Sequence, residues 1–218
     1  MKPVDLDGLF DEKLAQYMEE NKGKYTEKQW ENIIPKLYKK FGDTYVAKIK
    51  ATPKEYYAKM TDGELTETFA AHLAQKVPVP DFLCSEIEER NCIDALLPLL
   101  REGDGETVSY ALNLIGADAR AFPDYFSIIT EEKFDEDIRD AAVEKLKENA
   151  DAALAAALAY YKEGRAKEYM LEILSRAKTR SEEIFHILLD EFLSDGSRVP
   201  MHASYLAAYG DERALTCL

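Results

Sequence analysis

The 218-residue sequence contains few residues that break helices, since only 10 glycines and 8 prolines are present. β-Branched residues are also sparse beside Ala, Leu, Glu and Lys, which favour helix. The longest apolar run, residues 154–160, is far shorter than the roughly 20 residues of a membrane-spanning helix. These shortages predict an all-α protein without a transmembrane segment.

Cysteine is rare, and its spacing excludes the common cysteine sites. Cys84, Cys92 and Cys217 make an odd number, and no CxxC pair occurs. Buried or incidental thiols are therefore expected rather than a disulfide or a metal site. The N-terminal residues MKPVDLDGLFDEK are acidic and have no apolar core typical of a secretory signal, which predicts a cytoplasmic location.

The sequence also lacks the short motifs of several catalytic and nucleotide-binding sites. GxxxxGK[ST], GxGxxG, GxSxG and HExxH are all absent. Glu183 and His186 form one Glu-x-x-His pair, but a di-iron bundle site needs a second pair and two further glutamates. Asp5 and Asp7 resemble the start of a calcium loop, but the alternating oxygen ligands that should follow are missing. The sequence therefore predicts no catalytic residue, no metal site and no cofactor.

Charge is distributed unevenly along the chain. Residues 1–79 contain 13 lysines, no arginine and 13 acidic residues, whereas residues 80–218 contain 15 basic and 29 acidic residues. The net charge of −14 thus belongs to the second part. A surface of this sign repels nucleic acid and attracts basic proteins or peptides. Solubility is the alternative explanation of the acidity.

Helical periodicity runs through the whole chain, with one marked interruption. The segment KVPVP at 76–80 contains two prolines that stop a helix, and the change in charge falls at the same place. We predict an N-terminal helical segment at 1–79, either a subdomain of its own or the first repeats, and helical repeats at 80–218. The predicted helices are 6–20, 26–40, 53–60, 62–75, 81–90, 93–101, 106–115, 122–130, 137–148, 152–163, 167–178, 182–193 and 199–209.

The second predicted helix contains two local signals. Thr26 and Gln29 resemble a capping box, and Pro35 should kink the helix or delay its start. Its apolar residues recur at helical spacing, which predicts a buried stripe. The first 70 residues hold ten aromatic side chains beside many lysines, so a surface that binds peptide or nucleic acid is the alternative.

One short segment recurs three times, each time before an apolar helix. The copies are GADARAFPDYF, ENADAALAAAL and YGDERALTCL, which begin at Gly116, Glu148 and Tyr209. Each copy has an aspartate before the apolar run: Asp118, Asp151 and Asp211. A fourth copy, RAKTRSEEIF, has lost the aspartate. The leucines that close the preceding helices are Leu114, Leu146, Leu174 and Leu206. Their steps of 32, 28 and 32 residues are typical of two short helices with two turns, the repeat of a solenoid.

The turn YGDERALTCL resembles the junction between HEAT-like repeats, where a Gly-Asp-x-Arg turn separates one helix from the next. GADARAF is similar, with Asp118 and Arg120, whereas ENADAAL keeps Asp151 without the arginine. The resemblance covers about residues 91–218. It implies a right-handed α-solenoid of antiparallel helix pairs, a HEAT-like or ARM-type superhelix, whose second helices line a concave face. In physical terms the Asp can cap the next helix, and the Arg can bridge to an Asp of a neighbouring repeat.

The resemblance and the acidic charge together predict a non-enzymatic scaffold that binds a protein or a basic peptide along the concave face. We expect no membrane partner, and nucleic acid is disfavoured by the charge. If the second helices line this face, the candidate contacts are Glu106, Ser109, Asn113, Asp137, Glu144, Glu168, Glu172, His202 and Tyr205.

Two other functions stay open. Some HEAT-like solenoids of this length resemble DNA glycosylases for alkylated bases, and others act as bilin lyases. A DNA-processing groove should be basic, however, and the single tryptophan lies outside the repeats. A structural subunit is the other alternative, because Leu215, Cys217 and Leu218 would leave an apolar edge. Either the chain is truncated there, or the apolar edge is closed by another chain or by a short packed tail. Closure by a second copy of the chain would be self-association.

Overall fold

The fold is all-α, as the sequence predicts, in the part of the chain that a computed structural model describes: residues 2–131, 133–194, 196 and 198–216. The chain is 73% helical, and the described residues form no strand beyond one isolated bridge between Val46 and Ala51. None of the helices in these residues has the length and apolar character needed to cross a bilayer. The chain divides into two compact units, Met1–Leu99 and Leu100–Leu218.

Six helices begin in the first unit: α1 Leu6–Glu20, α2 Glu27–Phe41, α3 Pro53–Ala58, α4 Asp62–Ala74, α5 Asp81–Arg90 and α6 Ile93–Glu102. The predicted capping box of α2 is confirmed, since Gln29 Oε1 accepts the Thr26 amide at 2.8 Å. Thr61 and Glu64 make the same reciprocal contacts at the start of α4. Pro35 lies inside α2 and does not delay its start.

Helix α5 is central to the first unit. It packs against α3 and α4, and α1 packs against α2. The KVPVP segment joins α4 to α5, so it connects two helices that contact each other. A separate fold for residues 1–79 stays a prediction. The core of the unit includes Leu6, Phe10, Tyr57, Leu65, Phe69, Leu83 and Ile87.

Arg90, the last residue of α5, fixes that helix to the end of α3. Its guanidinium donates to the carbonyls of Ala58 and Met60, both at 2.6 Å. Its Nε also donates to the Glu86 carboxylate at 2.6 Å. The last carbonyls of a helix have no partner within that helix. Arg90 therefore caps α3 from a different helix.

Seven helices form the second unit: α7 Gly105–Ile115, α8 Phe122–Thr130, α9 Glu136–Glu148, α10 Ala150–Lys162, α11 Lys167–Ser175, α12 Glu182–Ser194 and α13 Val199–Tyr209. Short 3₁₀ segments, Ala119–Ala121 and Glu212–Thr216, follow two of the repeated turns. The predicted boundaries hold to within two residues, except that α11 ends at Ser175 rather than at residue 178.

The helices of the second unit pack in a repeating order. α8 packs on α9, α10 on α11, and α12 on α13. In addition, α7 contacts α9, α9 contacts α11, and α11 contacts α13. The buried residues are mainly small or branched aliphatic: Ala142, Leu146, Ala153, Ala157, Leu171, Leu174, Ile184, Leu188 and Leu206. Alanine at several of these positions lets neighbouring helices approach closely.

We expect Arg90→Met to destabilise the first unit by about 2 kcal/mol, because two carbonyls and Glu86 would lose charge-assisted hydrogen bonds. Arg90→Lys should recover only part of this loss, since an ammonium group lacks the forked geometry of the guanidinium. Urea unfolding followed by the fluorescence of Trp30, the single tryptophan, reports on this unit. The exposed Arg176, changed to Met, is the control. An Arg90→Met protein as stable as this control would contradict the capping role.

Candidate protein-binding surface

The residues predicted to contact a partner all lie on one series of helices. They are Glu106, Ser109 and Asn113 on α7, Asp137 and Glu144 on α9, Glu168 and Glu172 on α11, and His202 and Tyr205 on α13. Each of these helices contacts the next one in the series. We call the solvent-exposed residues of α7, α9, α11 and α13 the odd-helix surface.

Burial separates one of the nine residues from the others. Eight reach solvent at least in part, and the most exposed are Glu106, Asn113, Asp137 and Glu144. His202 is only 1% exposed. It shares its side of α13 with Leu206 and Tyr209, which follow at helical spacing and are fully buried. The expected direct contact from His202 is therefore corrected, since its ring lies beneath the surface.

Lys147 neutralises two of the predicted carboxylates. Its ammonium group lies 2.6 Å from Glu144 Oε1 and 2.5 Å from Glu172 Oε1, so it joins α9 to α11. Burial alone would lower the pKa of Lys147, but the hydrogen bonds to both carboxylates outweigh it and raise the pKa. Glu144 and Glu172 thus have a structural partner already, which reduces their attraction for a basic ligand.

Glu168 is also paired with another residue of the second unit. Its Oε1 pairs with the Arg198 guanidinium at the start of α13. Its Oε2 lies 3.5 Å from Nε2 of the buried His202. His202 Nδ1 faces the Glu191 carbonyl at 2.9 Å, and a carbonyl only accepts, so Nδ1 carries the proton in that contact. These contacts hold α11, α12 and α13 together.

Aromatic residues on the odd-helix surface were missed by the sequence reasoning. Tyr110 on α7 is 44% exposed, and Tyr169 on α11 is half-buried beside Asp140. Burial and the Asp140 carboxylate raise the pKa of Tyr169 to about 12. Burial, with Glu172 and Glu168 nearby, raises the pKa of Tyr205 to about 12 as well. Their helical spacing relative to the acidic residues could have revealed Tyr110 and Tyr169.

Two of the repeated aspartates close their own turns. Asp118 accepts the Arg120 amide at 2.9 Å and binds its guanidinium at 3.0 Å. Asp211 accepts the Arg213 amide at 3.0 Å and binds its guanidinium at 2.7 Å. Arg213 also reaches Glu182, 31 residues earlier, at 2.7 Å. Each arginine thus folds back on its own aspartate, and Arg213 joins two turns of the chain as well.

Asp151, in contrast, binds a later turn. Its carboxylate accepts the amide of Thr179 at 2.8 Å and the amide of Lys178 at 3.1 Å. These amides belong to RAKTRSEEIF, the copy of the repeat that has no aspartate of its own. The carboxylate of one turn therefore accepts two backbone amides of the next turn, which has no aspartate of its own.

Cys84, Cys92 and the Glu183–His186 pair lie outside the odd-helix surface. Burial raises the pKa of both Cys84 and Cys92 to about 11, so these thiols are protonated at neutral pH. Glu183 pairs with Lys162 at 2.6 Å, and the His186 ring is exposed. Across the described ranges, no three His, Cys, Asp or Glu side chains group closely enough to hold a metal ion.

The predicted C-terminal edge lies largely outside the described residues. Cys217 and Leu218 are not described, and neither is the side chain of Leu215.

Comparison with known proteins found no matching family model, no matching curated protein and no matching solved structure. Function is therefore inferred from the chemistry and geometry of this chain.

We expect Asp151→Ala to lower the Tm by about 2–4 °C, because the amides of Thr179 and Lys178 would lose their acceptor. The hydrogen bond from the Thr179 amide lowers the pKa of the Asp151 carboxyl below its usual 3.8. A lowered pKa in the folded state adds stability above pH 3.8 that is lost as the pH falls through the folded value. The difference in Tm between wild type and Asp151→Ala should therefore shrink in acid.

Thermal unfolding followed by circular dichroism between pH 7 and pH 2 measures this prediction. Asp190→Ala is the matched control, because Asp190 is an exposed acidic residue of α12. A difference that is absent at pH 7, or that grows as the pH falls, would be incompatible with the proposed role of the carboxylate.

Proposed function

We propose that residues 100–218 form a right-handed α-solenoid of antiparallel helix pairs, similar to HEAT-like repeats, and that it acts as a non-enzymatic scaffold for another protein. The observation that carries the proposal is the packing order of the helices. α8, α10 and α12 each pack on the following helix, while α7, α9, α11 and α13 contact one another in series. In solenoids such a series provides an extended surface for binding.

The charge of the unit favours a basic partner. Residues 100–218 contain 14 basic and 24 acidic residues. Glu106 and Asp137 are exposed, and neither has a basic partner among the residues that the structure describes. We assign the charge-dependent contacts to these two residues, because the other predicted glutamates are already paired. Tyr110 and Tyr205 add aromatic area of the kind found in binding hot spots.

Charged residues at the edge of a protein interface act mainly on the rate of association, and salt screens their effect. We therefore expect Glu106→Lys/Asp137→Lys to weaken binding of the partner by about tenfold at low salt, with a smaller effect at high salt. The control is Glu163→Lys/Asp190→Lys, which makes the same change in charge outside the odd-helix surface. Circular dichroism and thermal unfolding establish that both variants fold as the wild type does.

The measurement begins with affinity capture from native cell extract, using tagged wild type and the two variants at low and high salt. A basic protein retained by wild type and by the control, but lost with Glu106→Lys/Asp137→Lys, would support the proposal. Its affinity for all three purified proteins then gives the size of the effect. Equal capture by all three proteins excludes this surface, and equal loss with both variants attributes binding to net charge alone.

A further inference from the structure

A groove lies between α2, α3 and α5, wholly within the first unit. Its volume is about 840 Å³, which is sufficient for several apolar side chains. Phe10, Ile34, Tyr38 and Phe82 line its floor. Ile34 and Tyr38 belong to the stripe of α2 that the sequence predicts to be buried, yet both are only half-buried. The apolar face of α2 is therefore left partly uncovered.

The groove is formed in advance by the packing around Phe82. The Phe82 ring stacks on Tyr38 with 4.7 Å between centroids and an angle of 10°. Gly42 makes room for it, since a Cβ there would lie 2.6 Å from the ring. The Tyr38 hydroxyl donates to Asp7 at 2.7 Å and accepts the Asp81 amide at 3.3 Å, which ties three helices together. A preformed groove spares a partner the entropic cost of ordering it.

The α5 wall of the groove carries unpaired negative charge. Asp81 and Glu89 are exposed on its rim, and no basic side chain of the described residues pairs with either. They are eight residues apart, so they lie about 12 Å from each other along the helix. Glu86 lies between them and is already paired with Arg90 at 2.6 Å. Two carboxylates separated by two helical turns thus remain available to a ligand.

The opposite rim does not cancel this charge. Lys54 is paired with Asp43 at 2.8 Å. Glu55 lines the same side, where its carboxylate accepts the Thr52 amide at 3.1 Å. Lys39 has no acidic partner in the part of the chain described. The rim as a whole therefore has an excess of negative charge beside an apolar floor.

We propose that this groove binds an amphipathic helix of a protein partner, with apolar side chains on Ile34 and Phe82 and basic side chains paired with Asp81 and Glu89. Apolar residues at i, i+3, i+4 and i+7 form a face that fits such a floor. Basic residues about two turns apart match the spacing of the two carboxylates. An acidic helix or a phosphate backbone is repelled by the same rim.

The test uses the full-length protein and two synthetic probes with a fluorescent label. One is a 14-residue model helix of leucine and lysine, and the other is its leucine–glutamate counterpart. We expect the leucine–lysine helix to bind and Asp81→Asn/Glu89→Gln to weaken that binding about tenfold in fluorescence anisotropy. The control, Glu67→Gln/Glu88→Gln, removes two exposed carboxylates from the same unit outside the groove.

A second pair of variants tests the groove without changing the charge. Ala58 is exposed, lines the groove and ends α3, so Ala58→Trp should fill the groove and abolish binding. Ala74 is exposed and ends α4 away from the groove, so Ala74→Trp should bind as the wild type does. Thermal unfolding shows whether each variant is folded.

Three results would overturn the proposal. The first is no binding of the leucine–lysine helix, and the second is equal binding of the leucine–glutamate helix. The third is equal binding by the groove variants and their controls, whether weakened or unchanged, which would attribute binding to the net charge of −14 or to the acidic second unit. Since all of these changes lie in residues 1–99, a loss seen with the groove variants alone does not depend on partner binding by the second unit.

Discussion

The second unit depends on a single constraint: none of its helices is long enough to be stable alone. They are 9 to 13 residues long, and isolated helices shorter than about 12–15 residues are marginal in water. Each must bury an apolar stripe against its neighbours. Ala142, Ala153 and Ala157 permit close approach, while Leu171 and Leu206 fill the space between helices. The packing order of α7, α9, α11 and α13 follows from this requirement, and so does the surface proposed for binding.

Polar contacts between turns add directional links to this packing. Asp151 binds the amide of Thr179, and Arg213 binds Glu182, in each case across roughly one repeat of sequence. Lys147 joins α9 to α11 in the same way at the surface. Carboxylates that join turns and helices of this unit are less available to a partner. A binding surface on this unit therefore has fewer free charges than its composition suggests, and exposed aromatic residues gain importance.

Helix boundaries could be predicted closely from the sequence because periodicity, glycine turns and capping residues are local signals. The end of α11 was missed, since the amides at residues 178 and 179 bind Asp151, which lies 27 and 28 positions earlier. The burial of His202 and the pairing of Glu172 with Lys147 were missed for the same reason. Such contacts join residues 11 or more positions apart, and spacing within one helix does not reveal them. The groove beside Phe82 likewise depends on contacts among α1, α2 and α5.

The central claim is that α7, α9, α11 and α13 form one open row. Distances between pairs of spin labels, measured by electron spin resonance, test this claim most directly. Spin labels at the exposed residues Asn113, Asp137, Arg176 and Ser204 would mark the four helices or their ends, in a chain whose native cysteines are replaced. Neighbouring helices pack about 8–10 Å apart, so distances from the α7 label should increase at every step along the row. An α7–α13 distance equal to or shorter than the α7–α11 distance would mean a closed bundle and would contradict the solenoid.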